Sequence, residues 1–399
     1  MLRLKGSPAE TVPITPPRRP IAPLDGPRHR LPATAGQRRL WMLDQIIPNP
    51  EVYNVFFLLR LAGRIDPAAA RDALRETVAR HEALRTRLVN DGGELSQIVA
   101  PPGPVDFTVI DLRDLPVADR RGAVRERASA ESRRRFELAS DRLWDAQLFL
   151  IAEGESYLWV NFHHSIIDGW SVGVFFRDFG EFYGAACEGR GPVLPPLPVQ
   201  YGDFAAWQRE HVTTTEFQGQ LERWKDALRL PLAPVDLPFS KPRPPAQTFR
   251  GATHTFTVPR DLVAAADDLA AREASSRFLV GLATFQTLIH RYTGQTDLLI
   301  GVPVANRQRP ETRDTVGFFT NTLVFRTDLS GDPTVREVLA RARRTRTEAF
   351  AGSDVDLEAL VGAVQPPHDA SRQPFFQVVF QYQNIPIVPE RIGPLGAEY

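Results

Sequence analysis

Two histidines, His163 and His164, stand side by side at the end of an apolar run in "NFHHSIIDGWSVGVF", residues 161–175, and an Asp-Gly pair, Asp168 and Gly169, follows four residues after the second. An imidazole titrates near pH 6.5, which makes it the natural general base at neutral pH; the competing reading is a pair of hydrogen-bonded polar residues at a strand end. Asp168 also has two readings. It caps the helix that follows, or it turns inward to pair with a cation and hold the shape of the loop. Neighbours on a strand point to opposite faces, so His163 and His164 make a poor metal pair. No HExxH or HxH spacing links the eight histidines, and the single cysteine, Cys187, excludes a disulfide framework or a multi-thiolate centre. No metal site is expected.

The elements around the motif follow from periodicity. "RLWDAQLFLI" and "SYLWVNFH" are apolar runs joined by "AEGE" and read as neighbouring strands, the second ending at the histidines. "GWSVGVFFRDFGEFYGAA" carries aromatic and aliphatic residues at helical spacing. "HHSIIDG" is therefore a strand-to-helix connection, a place where polar side chains are held by rigid elements. Upstream, "VYNVFFLLRL" reads as a strand and "DPAAARDALRETVARH" as a helix with Asp66 at its N-cap and Pro67 in its first turn. Downstream, one long helical stretch is expected from "DFAAWQREH" to "LERWKDAL". After it come a strand "THTFTV", two helices over "PRDLVAAADDLAARE" and "RFLVGLATFQTLIHRY", strands "DLLIGVPVA" and "TLVFRTDL", a helix "TVREVLARARRTRTEAF" and a last strand "FFQVVFQYQ".

The 399 residues are enough for two domains or lobes. Residues 1–32 contain eight prolines and no apolar stretch, and read as a proline-rich tail or linker without the core of a signal peptide. A proline-rich junction near 190–200 divides the rest into an N-terminal lobe, 33–192, and a C-terminal lobe, 193–399. Lys plus Arg equals Asp plus Glu at 48 each, which argues against nucleic acid as the main ligand, and no apolar run is long enough for a membrane span. A cytoplasmic protein is expected.

"HHSIIDG" resembles the HHxxxDG signature of chloramphenicol-acetyltransferase-like acyltransferases and of the condensation domains of nonribosomal peptide synthetases, and the latter resemblance runs along most of the chain. "TAGQRRLWMLDQ" is similar to that family's SxAQxRLWxL opening, with Thr34 for Ser and Gly36 for Ala. "RHEALRTRL" resembles RHExLRTxF with Leu88 at the last position, and "YGDFAAWQ" resembles YxDYAxW. "IGVPVANRQRPE" with "VGFFTNTLVFR", and then "QPFFQVVFQYQN", resemble the later motifs in order. "RLWMLDQ" and "HHSIIDGWSVGVF" look most like the subtype that takes an L-configured donor.

The resemblance implies an α/β fold of two chloramphenicol-acetyltransferase-like lobes in a V-shaped pseudodimer with a tunnel between them. It implies amide formation by thioester aminolysis, with donor and acceptor carried on the phosphopantetheine arms of peptidyl carrier proteins, an adenylation domain as a further neighbour, and no cofactor bound by this chain. His164 carries over as the residue facing the reacting amine, Asp168 as a structural residue paired with Arg307, Gly169 as room for close backbone approach or a left-handed turn, and His163 as a loop-stabilising residue. Ser171, Asn321 and Thr322 are candidates for the tunnel wall. Arg39, Trp41, Arg80, His81 and Arg85 read as packing or lobe-positioning residues, and the basic run "RARRTRTEAF" as a solvated helix face. In the family the chain usually continues past the last motif, so the C-terminal lobe is expected to lack a final segment. Two other readings stay open: a stand-alone acyltransferase of this fold using a soluble amine or alcohol, and a non-catalytic recruitment domain, which has no need of an intact HHxxxDG.

Overall fold

Phe57, Leu59 and Leu61 alternate with more exposed neighbours along one strand, and that alternation lays one face of a six-stranded sheet on the core. The computed structural model describes residues 19–26, 28–238, 242–384 and 387–399; residues 1–18 of the expected tail lie outside the described residues. In chain order the elements are β1 (Arg30–Pro32), α1 (Ala35–Ile46), β2 (Asn54–Ala62), α2 (Pro67–Arg80), β3 (Thr86–Asp91), β4 (Glu94–Val99), β5 (Thr108–Asp111), α3 (Val117–Glu131), β6 (Trp144–Ala152), β7 (Glu155–His163) and α4 (Gly169–Glu188). They continue with α5 (Tyr201–His211), α6 (Thr215–Ala227), α7 (Arg260–Arg272), α8 (Arg277–Thr293), β8 (Asp297–Val304), β9 (Asn321–Asp328), α9 (Val335–Ala351), α10 (Leu357–Val364), β10 (Arg391–Ile392) and β11 (Leu395–Glu398).

The large sheet has the order β10-β11-β2-β7-β6-β5, antiparallel except for β5 against β6. Register pairs Asn54 with His163, so the end of β7 lies beside the start of β2. Helix α4 buries Phe175, Phe176, Phe179 and Tyr183 in this core. Each such ring contributes roughly 1.5–3 kcal/mol by leaving water, which fixes the helix that begins at the motif. Asp66 caps α2 as expected, accepting from the amides of Ala68 and Ala69.

Four expectations are corrected. The stretch from α5 to α6 is two helices: Thr214 ends the first register and caps the second, its hydroxyl accepting from the Phe217 amide. "THTFTV" is exposed, unpaired chain among the described residues, since alternation without a neighbouring backbone makes no ladder. "FFQVVFQYQ" reduces to one bridge, Val379 beside Gly301. Residues 19–26 and 28–32 are no tail: Ile21 is buried and its amide donates to Glu311, the Leu24 amide donates to Asp203, Arg28 pairs with Glu82 and Asp203, and β1 pairs with β4. Polar side chains of the body hold these residues, and proline content does not register such partners.

Nor do the cores divide at residue 192. Val199, Tyr201, Phe204 and Trp207, the segment Val316 to Phe319, and Ile392, Leu395 and Ala397 all belong to the first core. A second core joins α6, α8, α9, α10, β8 and β9. The chain thus crosses from one core to the other several times, and the motif lies against one of those crossings.

Candidate active site

Strand β7 ends at His163, whose amide bonds the Leu143 carbonyl. A single 3-10 turn, His164 to Ile166, then carries the chain to Asp168, the N-cap of α4. His163 serves the turn: its Nδ1 accepts from the Ser165 amide at 3.2 Å and bonds the Ser165 hydroxyl at 2.8 Å. Burial, with His164 adding to it, holds the His163 imidazole down at about 3, so it is neutral.

His164 is different. It alone among residues 161–168 is not fully buried. Its Nδ1 lies 2.8 Å from the Ile167 carbonyl oxygen, and since a carbonyl only accepts, Nδ1 carries the hydrogen. The lone pair is therefore on Nε2, the tautomer a general base needs. The Phe318 ring stands edge-on to the imidazole with centroids 5.1 Å apart.

Phe318 is itself fixed by two distant motifs. Its carbonyl accepts from the Tyr201 hydroxyl at 2.7 Å, and the Thr34 hydroxyl, 2.9 Å from Tyr201, donates to that tyrosine oxygen. Neighbouring Gly317 has no space for a side chain: a Cβ there would lie 2.1 Å from Cδ2 of Tyr201. Gln37, in a capping box with Thr34, sends its amide to the Ser165 carbonyl at 3.1 Å. Residues at the start of α1 thereby hold both the histidine turn and the Phe318 segment.

Asp168 takes both of the roles that its sequence context leaves open. Oδ1 accepts from the Ser171 amide at 2.8 Å and from Arg307 Nη2 at 3.2 Å; Oδ2 accepts from the amides of Phe319 and Thr320 at 2.9 and 3.1 Å. Arg307 also donates to the carbonyls of Thr312 and Thr315 and to the Ser171 hydroxyl, and lies 3.8 Å over the Phe319 ring. One carboxylate and one guanidinium so join the motif to the segment 312–320.

Two site expectations are corrected. Gly169 opens α4 outside the left-handed region, and an added Cβ would meet nothing within 4 Å, so a left-handed turn is not what this position provides. Ser171 is wholly buried, its hydroxyl donating to the Gly317 carbonyl and accepting from Arg307, and it lines no tunnel. Asn321 lines a cleft but spends its side chain on the carbonyls of Ser353 and Val355, while Thr322 is outside that lining.

Gln37 and Asp178 were not singled out. The T-x-x-Q capping pattern at 34–37 could have pointed to the first; nothing local points to the second. Asp178, buried in α4, accepts from His81 Nε2 at 2.9 Å and from Arg80 at 2.8 Å, and the other ring nitrogen of His81 accepts from the Val316 amide. Arg85 fastens the carbonyls of Val78 and Ala79. Among the described residues His211, Glu216 and Asp354 lie close enough for a metal ion, yet Arg309 donates to Asp354 at 3.0 Å and puts a fixed positive charge on that carboxylate.

A profile of the condensation domain family matches residues 28–392. A linear gramicidin synthase component from Brevibacillus parabrevis is 39% identical over 379 residues, 95% of this chain and 5% of its own length. This chain thus spans a small part of that relative. The X-domain in the complex of the X-domain and OxyB from teicoplanin biosynthesis superposes with a TM-score of 0.81 at 29% identity, covering 96% of this chain and 83% of that one. The first condensation domain of the CDA synthetase shares the fold, with a TM-score of 0.76 at 21% identity over 92% of this chain and 85% of that one. No described helix is long and apolar enough to cross a membrane.

Proposed function

The chain belongs to the condensation domain family, and on that premise we propose that it forms an amide bond between a donor thioester and an acceptor amine, each carried on the phosphopantetheine arm of a carrier protein. The observation that carries this reading is the half-buried His164, whose Nδ1 hydrogen bond to Ile167 leaves the lone pair on Nε2.

The amine nitrogen attacks the thioester carbonyl, the C–N bond forms, and the C–S bond breaks to release the donor's arm as a thiol. An α-amine has a reference pKa of about 7.7–8.0, so roughly a tenth is neutral at pH 7 and reaching that form costs about 1–1.5 kcal/mol. After attack the nitrogen becomes strongly acidic. His164 Nε2 accepts its proton as the tetrahedral species collapses, and the imidazolium returns it to the departing thiolate. Holding two tethered reactants in line contributes on the order of 7 kcal/mol or more, so the site acts as much by position as by proton transfer. "RLWMLDQ" and "HHSIIDGWSVGVF" support an L-configured donor, and a neighbouring adenylation domain would load the acceptor carrier.

The structural likeness to an X-domain in complex with OxyB favours one second reading, a docking domain without chemistry. Intact-mass analysis of loaded donor and acceptor carriers mixed with this chain separates the two. Donor mass moving onto the acceptor carrier is the expected result. No transfer across a panel of amino-acid pairs, from folded protein, would leave docking as the function, and transfer only to soluble amines would leave a stand-alone acyltransferase.

A further inference from the structure

Beside the Phe318 ring, a small cleft of about 30 Å³ runs between α1, α5 and the start of α10. Its walls include Gly36, Arg39, Asn306, Phe318, Asn321 and Glu358. Phe318 thus touches both His164 and this cleft.

Two acceptors in these walls are unfilled. Glu358 Oε1 and Asn306 Oδ1 are buried and have no hydrogen-bond partner among the described residues. Asn306 is held there with a left-handed φ of 54°, directly before Arg307. Glu358 is aimed by α10, whose first turn is pinned by Asp356 on the Ala359 amide and whose preceding loop is pinned by Asn321. Buried acceptors without donors are costly, and two in the walls of one cleft specify a ligand rich in N–H.

We infer that this cleft receives the acceptor's ammonium group, that Glu358 and Asn306 accept its hydrogen bonds, and that Glu358 removes the first of the two protons the nitrogen must lose. This rests on the amide-forming reading above. The steps balance: the ammonium gives one proton to the Glu358 carboxylate and becomes the neutral amine, the amine attacks the thioester carbonyl, and the second proton goes to His164 and on to the departing thiolate. Two bases serve because two protons leave at different stages, and His164 is suited to the later one.

The charged groups facing Glu358 are Arg38 and Arg39 from α1, Asp356 beside it, and Asp354 in the same lining, the last already paired with Arg309. Burial first, and Asp356 second, push the Glu358 carboxyl up to about 7 against the pull of the two arginines. A carboxyl in that range exchanges a proton readily with an amine of pKa about 8, and an arriving ammonium favours its ionised form.

The test uses the full chain and its Glu358→Gln and Glu358→Asp variants, with a panel of aminoacyl-pantetheine amides as stable acceptor mimics and aminoacyl carriers as substrates. Binding of the best mimic is measured from pH 6 to 9, alongside single-turnover transfer. Glu358→Gln is expected to bind about tenfold more weakly and transfer about tenfold more slowly at pH 7, where about a tenth of the amine is neutral, and to come within about twofold of the parent by pH 9. Glu358→Asp should recover part of the loss at pH 7. Equal behaviour of parent and Glu358→Gln at every pH would overturn the inference, as would an equal loss at every pH, which marks a structural role. If the parent transfers nothing, the amide-forming reading fails, and the binding profile alone decides whether the cleft takes an ammonium.

Discussion

Arg307 Nη2 lies 3.2 Å from Asp168 Oδ1, with 6% and 1% of the two residues exposed, and the two stand 139 positions apart in the chain. Both oxygens of Asp168 are used, one by the helix cap and Arg307, the other by the amides of Phe319 and Thr320. The pair is thus a fastening between the histidine turn and the segment that places Phe318.

Asp168→Asn should fail as a fold before it fails as a site. Whichever way the carboxamide turns, its NH2 meets a donor, the paired amides of Phe319 and Thr320 or Arg307 with the Ser171 amide, and Arg307 keeps a buried charge without its counterion. A loss of about 3–5 kcal/mol is expected in chemical denaturation. Parental stability with only the reaction lost would mean that the ion pair carries no structural load.

Gly317→Ala inserts a methyl 2.1 Å from the Tyr201 ring. Tyr201 is wholly buried and bonded to Thr34 and to Phe318, so the ring has nowhere to go. Overpacking of this kind costs about 1–3 kcal/mol, and the displaced Phe318 should slow transfer as well. A thermal melt and a single-turnover rate on the same preparation check both; an unchanged rate would free Phe318 from any part in placing His164.

Acid should weaken the protein through His163. Its folded pKa of about 3 is below the ordinary 6.5, because burial disfavours the imidazolium. Between those values the unfolded chain binds a proton that the folded chain refuses, so the stability from this group is complete above pH 6.5 and declines as pH falls toward 3. At the acid end the loss is roughly 4 kcal/mol. Buried His81, whose imidazole is also pushed down, acts with the same sign. His163→Asn keeps an acceptor for the Ser165 amide without the titration. Unfolding free energies from pH 7 to 4 should therefore slope less steeply in the variant, and parallel slopes would show that His163 is protonated in the fold.

The strands and helices that bracket the histidines were legible because their periodicity is local: β6, β7 and α4 follow directly from apolar spacing and from the cap at Asp168. The Asp168 to Arg307 pairing came only with the family resemblance, since nothing at either position points to the other. The hold of Tyr201 and Thr34 on Phe318, and of Gln37 on Ser165, is tertiary, although the capping box at 34–37 was there to be read. "THTFTV" misled for the opposite reason: its alternation is that of a strand, but a strand also needs a second backbone. Residues 19–26 and 28–32 misled because side chains of Asp203, Glu82 and Glu311 hold proline-rich chain with no period of its own.

In the proposed reaction Nε2 of His164 takes the proton of the attacking nitrogen. The most direct test of that step is single-turnover transfer from a loaded donor carrier to a loaded acceptor carrier, by the parent and by folded His164→Ala, at one pH near 7.5. Removal of a general base typically costs about 10²–10⁴-fold, and a loss in that range is expected, with positioning still supporting a residual rate. Near-parental transfer by His164→Ala would contradict that role for Nε2.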